Sequence, residues 1–415
     1  MQAWTRPIVP RVALTSADAP TRLTVHDTAS EGPVQVGPAE GLARLYVCGI
    51  TPYDATHLGH ANTYLSFDLV NRVWRDLGLD VNYTQNVTDV DEPLLERAEA
   101  TGVHWEDLAI DQTNLFRTDM EALRVIPPDH YIGAVECVPC VLALLESMLP
   151  TGAVYQVDDP EFPDWYFDVS AAEGFGGVGH LDPEAQLKKF TEMGGDPERP
   201  GKRNPLDCLV WRQRREGEPH WESETLGDGR PGWHIECTAI ALRHLGPHFD
   251  VQGGGSDLAF PHHEMCAAQA IVASGEPLAD AFVHSGMVAL DGEKMSKSKG
   301  NLELVSRLRE AGAEPMAIRL ALLNHHYREN WEWTPDQLVA AEQRLDRWRR
   351  AASSEGCASV EPVISALRTA LRSDLDAPAA LVAVDVWADQ TLTDGGADSS
   401  EQLVVALDAL LGIAL

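Results

Sequence analysis

The chain has 415 residues, with 32 basic against 64 acidic side chains and a formal net charge of -32. That length allows two or three domains around a large core, and that charge disfavours phosphate backbones as partners wherever no local basic patch overrides it. No apolar run reaches the roughly 18 residues a membrane span needs, and Met1 to Pro20 holds no continuous apolar stretch of signal type, so a cytoplasmic protein without a membrane partner is expected.

Residues 1–40, rich in Pro, Ala and Thr, read as an irregular N-terminal arm with Leu23-Thr24-Val25 as an edge strand. Leu45 to Cys48 reads as a short buried strand that Gly49 and Pro52 break, and the spacing of Ala61, Leu65, Leu69 and Val73 predicts a helix. His57-Leu58-Gly59-His60 therefore falls where a strand hands over to a helix. A doubly wound sheet binds nucleotides there, because a helix N-terminus offers free N–H groups and a positive dipole end to phosphate. Far downstream, Lys294-Met295-Ser296-Lys297-Ser298, followed by Gly300, supplies two cations for a second phosphate clamp. Taken singly, such a lysine-serine run is more often a solvated loop.

Val81 to Val87 alternates as a second strand and ends at Thr88-Asp89-Val90-Asp91. Short polar residues there either line a ligand crevice or cap the next helix, and both readings stand. Helical spacing follows over Leu94 to Leu123 and Val135 to Leu149, with Cys137-Val138-Pro139-Cys140 read as buried structural thiols. Residues 150–225 are loop-rich, with a basic patch at Lys202, Arg203, Arg212, Arg214 and Arg215, and read as an inserted connective subdomain. The α/β pattern returns over 226–301. Gly253-Gly254-Gly255-Ser256-Asp257 is read as letting the backbone approach a ligand while a carboxylate points into the pocket. Residues 302–335 form a linking helical segment and 336–415 a helical bundle.

The seven cysteines are dispersed, which favours reduced thiols or metal ligands over a disulfide framework. Cys48 ends the first strand, Cys237 opens a later helix and His262 follows the glycines. Three such scattered ligands would leave a metal position open for substrate. On spacing alone, three ordinary buried residues remain the first reading.

As an ordered set, Cys48-Gly49-Ile50-Thr51, His57 to His60, Asn86-Val87-Thr88-Asp89, Gly232 to Cys237, Gly253 to Asp257, Phe260 to Glu264 and Lys294 to Ser298 resemble the cysteinyl-tRNA synthetases of the class I aminoacyl-tRNA synthetase superfamily. Met1 to Trp4, Thr51 to Thr56, Glu192 to Pro197 and the short C-terminal part are more similar to the cysteine ligases of mycothiol synthesis, a branch of the same superfamily. The resemblance implies an α/β fold: a Rossmann-like doubly wound parallel sheet, residues 41–149 forming its first half, with an inserted subdomain and a C-terminal helical bundle. It implies zinc, one per chain, on Cys48, Cys237 and His262, gripping the substrate thiol, and magnesium with ATP. It further implies catalytic roles for His57, His60, Lys294 and Lys297, and cysteinyl-adenylate contacts from Cys48, Gly49, Ile50, Thr51, Thr63, Asn86, Val87, Thr88, Trp233, Gly255, Ser256, Asp257 and Val288. Two positions depart from the family pattern: Cys266 stands where a glutamate is usual and is read as a buried spectator, and Met193 stands where the ligase branch carries arginine.

The activity implied is ATP-dependent ligation of L-cysteine to the amine of a glucosaminyl-inositol through a cysteinyl-adenylate, releasing AMP and pyrophosphate; the alternative is cysteinyl-tRNA synthetase. Between Ala351 and Leu415 ten acidic residues face only Arg368 and Arg372, the wrong sign for an anticodon stem. Arg344 to Arg350 is read as a solvated helix face pairing with nearby acids. The expected partners are thus L-cysteine, ATP and glucosaminyl-inositol, with no nucleic acid, on a monomer.

Overall fold

The computed structural model describes residues 1–13, 22–53, 55–290, 292–295 and 302–415, with Glu293 and Lys294 described by their backbone alone. Strands β1 (Leu23–Asp27) and β2 (Gly32–Val36) pair as an antiparallel hairpin, so the strand expected at Leu23 to Val25 is present and has a partner strand that the irregular-arm reading did not include. Leu23 and Val25 bury on one face, and the Asp27 carboxylate accepts from Phe282 N–H at 2.8 Å.

The first parallel half runs β3 (Leu42–Val47), α1 (Leu58–Asp76), β4 (Asp80–Val87), α2 (Glu92–Thr101), α3 (Trp105–Ala122), β5 (His130–Gly133) and α4 (Val138–Met148). Next come β6 (Val154–Gln156), β7 (Trp165–Phe167), α5 (Pro183–Glu192), β8 (Cys208–Gln213) and β9 (Gly229–Pro231), whose four strands form a separate antiparallel sheet. The second half is α6 (Trp233–Leu245), β10 (Phe249–Gly255), α7 (Glu264–Ser274) and β11 (Ala279–Ser285). The main sheet has the order β11-β10-β3-β4-β5, every pairing parallel. That is the doubly wound order, in which β3 and β10 are neighbours whose connections leave toward opposite edges, opening a crevice at their carboxyl ends.

After the sheet, β12 (Val288–Leu290) pairs with β13 (Glu293–Lys294) and with β14 (Trp331–Glu332). Helices α8 (Val305–Glu310), α9 (Pro315–Leu323), α10 (Pro335–Ala352), α11 (Glu361–Arg372), α12 (Ala377–Asp394) and α13 (Glu401–Ala406) complete the chain. Their apolar faces are continuous with the sheet's: Leu45, Trp74, Ile318, Trp348, Trp387 and Leu410 belong to one buried cluster. No described helix is long and apolar enough to cross a membrane.

The joint between α1, α9 and the C-terminal turn is polar and fully buried. Asp68 accepts from Arg72 Nε at 2.7 Å and from Arg319, all three side chains showing no exposure. Burial alone would raise the Asp68 carboxyl, but the two guanidinium groups overcome it and hold it below the ordinary carboxylate range. The remaining donors find backbone oxygens: Arg72 Nη1 reaches Asp408 O at 2.7 Å, and Arg319 Nε reaches Leu411 O at 2.7 Å. Each charge in this joint is therefore paired, which is what makes it tolerable in the core.

Candidate active site

A cavity of about 620 Å3 opens beyond the carboxyl ends of β3 and β10. Its floor is built by close backbone approach. Cys48 N–H donates to Gly253 O at 3.0 Å, and a Cβ on Gly49 would stand 1.6 Å from Asn86 O, so only glycine fits between the strands. Asn86 is buried and consumed by this floor: its Oδ1 accepts from Gly49 N–H at 2.7 Å and Tyr46 Oη at 3.1 Å, while Nδ2 donates to Thr88 Oγ1 at 3.1 Å. The glycine triplet is only partly what the sequence suggests. A Cβ on Gly253 would meet the Phe67 ring at 2.3 Å, and one on Gly254 would meet Leu258 Cδ1 at 2.9 Å. Two of the three glycines serve packing, and Gly255 alone lines the cavity.

His57 caps α1, accepting from His60 N–H through Nδ1 at 3.3 Å, and the two imidazoles stack with centroids 3.7 Å apart. Gly59 leaves room for that stack, since a Cβ there would lie 2.9 Å from the His57 ring. The segment before the cap is stapled to the segment that follows the lysine-serine run: Leu58 N–H donates to Glu303 O at 2.9 Å and Val305 N–H to Thr56 O at 3.0 Å. Asp119, fully buried on α3, reinforces the staple by accepting from Arg309 Nη1 of α8 at 2.7 Å while facing the Thr56 hydroxyl. Lys297 lies outside the described residues; Lys294 is placed by its backbone, paired with Ala289 in β13.

At the inner end, Cys48, Cys237 and His262 converge from β3, α6 and the turn before α7. Their ligand atoms all lie within 4.8 Å of one another and all three residues are buried. Sulfur, sulfur and imidazole nitrogen form a soft, compact donor set that can hold a metal ion. A hydrogen bond from Cys48 and the neighbouring His262 pull the Cys237 thiol well below its usual range, while burial pushes Cys48 up. Burial works against the charged form of His262, yet the Cys266 and Cys237 sulfurs raise it to about 10. Around the sulfur of Cys48 stand His263 Nε2 at 3.2 Å and Gln252 Nε2 at 3.5 Å, an outer set of the kind that orients metal ligands. Trp233 stacks on His262 with centroids 4.5 Å apart and walls the cavity. Cys266 Sγ lies 3.9 Å from His262 Nε2, is buried, and donates to His234 O at 3.5 Å.

The neighbours of His262 have other duties. His263 Nδ1 meets His284 Nε2 at 2.7 Å, and His284 Nδ1 meets Thr28 Oγ1 at 2.6 Å; burial keeps both imidazoles neutral, His284 being lowered to about 4. Glu264 accepts from Gly176, Val178 and Gly179 N–H groups at 2.7 to 2.9 Å, clamping the glycine-rich loop to α7.

Of the other residues singled out in the sequence, Ile50, Thr51, Thr63, Thr88, Asp257 and Val288 line the cavity. Thr63 Oγ1 meets Ser285 Oγ at 2.7 Å, and Thr51 donates to Asp91 Oδ2 at 2.9 Å. Val87 is core and Ser256 is exposed, and neither lines the cavity. Tyr53, Met295, Glu192 and Met193, which fall within stretches singled out in the sequence but were given no site role there, also line the cavity, and the structure adds Met287 and Leu302, which carry no sequence signal of their own.

A five-stranded parallel sheet in this order, with an imidazole-capped helix at its switch point, defines a nucleotide-binding α/β core of the synthetase type. Residues 36–343 match the family described as tRNA synthetases class I (C) catalytic domain. Over the full length of both chains, the sequence is 57% identical to a Kribbella flavida protein, 58% to one from Streptosporangium roseum and 57% to one from Streptomyces coelicolor, each named L-cysteine:1D-myo-inositol 2-amino-2-deoxy-alpha-D-glucopyranoside ligase. Among solved structures, Mycobacterium tuberculosis methionyl-tRNA synthetase with methionyl-adenylate superposes with a TM-score of 0.63 at 17% identity, covering 90% of this chain and 88% of that one. A leucyl-tRNA synthetase ternary complex from Agrobacterium radiobacter gives 0.66 at 14%, covering 90% and 84%. The chain belongs to the class I tRNA synthetase family, together with these full-length ligase relatives.

Proposed function

We propose that this chain is an AMP-forming ligase that joins the carboxyl of L-cysteine to the amine of a glucosaminyl-inositol. The observation that carries the reading is the buried Cys48–Cys237–His262 group at the inner end of the same cavity whose outer wall is the His57–His60 stack. The full-length identity to the named ligases supports the choice of acceptor.

The cysteine carboxylate attacks the α-phosphorus of ATP and pyrophosphate leaves, with magnesium accompanying the nucleotide. His57 and His60, set at the start of α1, stabilise the charge that develops on phosphate, and Lys294 and Lys297 hold the β and γ phosphates. Gly49, Ile50, Thr51, Asn86 and Thr88 frame the adenylate, Asp257 pairs with the cysteine ammonium, and Val87 and Ser256 act through the backbone they share with their neighbours. Cys48, Cys237 and His262 would hold zinc, which when bound would supply a soft acceptor for the substrate thiolate and so a means of separating cysteine from serine. The sugar amine then attacks the adenylate carbonyl, forming the C–N bond as AMP departs.

A charge balance favours this acceptor over tRNA. Arg344 and Arg347 pair with Asp385 at 3.0 and 2.5 Å, and Arg349 pairs with Glu314, so the basic face of α10 is largely neutralised by its own surroundings. Mass analysis of the product from ATP, cysteine and glucosaminyl-inositol tests the proposal. A cysteinyl amide supports it; charging of tRNA with no amide formed refutes it.

A further inference from the structure

The turn that ends α5 belongs to the inserted subdomain, far from the parallel sheet in sequence, yet Glu192 and Met193 reach the cavity wall. That turn is held with unusual care. Lys202, its side chain 2% exposed, donates to Asp196 O at 3.1 Å, Asp196 Oδ1 at 3.0 Å and Pro205 O at 2.8 Å. Its ammonium also stands 5.0 Å from the centre of the Phe190 ring. Tyr166 donates to the other Asp196 oxygen, and Gly195 packs so tightly on Phe190 that a Cβ would fall 2.4 Å from Cδ1. The result is a rigid lip.

Among the described residues that line the cavity, only Glu192 and Asp257 carry carboxylates. Asp257 follows the glycine strand, on the sheet side. Glu192 comes from the inserted subdomain; its side chain is 54% exposed, and its one ion-pair neighbour among the described residues, Lys188, is 4.0 Å away. A solvent-exposed carboxylate on the cavity wall repels ATP and the carboxylate of cysteine. It attracts a cation, and its lone pairs suit vicinal hydroxyls.

We propose that the α5 lip is the acceptor subsite, with the Glu192 carboxylate receiving the cationic amino sugar and the Met193 side chain packing under its ring. This rests on the ligase reading above and adds to it the place where the second substrate binds. The net charge of -32 would draw the same cation toward the protein, and Glu192 makes that attraction local.

The test separates the two half-reactions. Cysteine-dependent ATP–pyrophosphate exchange requires no acceptor, whereas amide formation does. In Glu192→Gln the KM for glucosaminyl-inositol should rise about three- to tenfold with exchange retained, Glu192→Asp should recover part of the loss, and the gap from wild type should narrow in high salt. An unchanged acceptor KM in Glu192→Gln overturns the subsite, as does a loss of exchange equal to the loss of ligation. Wild-type enzyme that exchanges but forms no amide would instead refute the ligase reading itself.

Discussion

Cys237 belongs both to the buried sulfur-imidazole group and to the cavity lining. Its sulfur is one of three mutually close ligand atoms, and it sits beside the cavity where a substrate thiol would dock. Cys237→Ser replaces a soft ligand by a hard hydroxyl, and metal affinity should fall at least about a hundredfold, read by metal content after dialysis against a chelator. Full retention of metal would remove the site. Asp91 is a second instructive residue. Desolvation outweighs its hydrogen bonds from Leu94 N–H and the Thr51 hydroxyl and raises its carboxyl from 3.8 to about 6. The folded state therefore holds a proton that the unfolded chain releases, so this contribution to stability is complete below pH 3.8 and is lost as pH rises to about 6. It amounts to at most about 3 kcal/mol. Asp91→Asn should flatten the fall in stability between pH 4 and 6 measured by denaturant titration; Asp89, raised to a similar value by burial, keeps the remainder of the slope.

At the level of elements, the start of α1 is joined by backbone hydrogen bonds to the segment that leads into α8. The backbone bonds of Leu58 with Glu303 and of Val305 with Thr56 fix where the chain re-enters after the lysine-serine run, and the Asp119–Arg309 pair ties α3 to α8 behind them. Arg309→Met leaves a fully buried carboxylate without its cation, which should cost about 2 to 3 kcal/mol of stability. The KM for ATP in the exchange reaction should rise while that for cysteine holds, because the tie lies behind the imidazole end of the cavity and not the metal end. Equal changes in both would show that α8 acts only through global stability. The same logic applies to the lip of α5, where Lys202 holds the shape and Glu192 supplies the charge.

Over the whole molecule, sheet and C-terminal helices share one apolar cluster, and the polar joint of Asp68, Arg72 and Arg319 closes on the backbone of 408–411. A chain ended after Ala406 would strip these carbonyls from two fully buried guanidinium groups and take Leu407, Leu410 and Leu411 out of the shared apolar cluster. It should melt well below the intact protein and lose pyrophosphate exchange with it, by circular dichroism and activity; an independently stable catalytic half would refute the shared core. The sequence alone determined the α/β class, the strand-to-helix junction at His57 to His60 and the helical C-terminal stretch, because period, breakers and caps are written within a few residues of one another. It also supplied the three metal-ligand candidates, but as isolated letters. Only tertiary structure brought Cys48, Cys237 and His262 within 4.8 Å, gave two of the three glycines to packing, turned Glu264 into a clamp and set Glu192 at the cavity. Each depends on strand order and on the docking of an inserted subdomain, so it is fixed by contacts between residues that no local pattern relates.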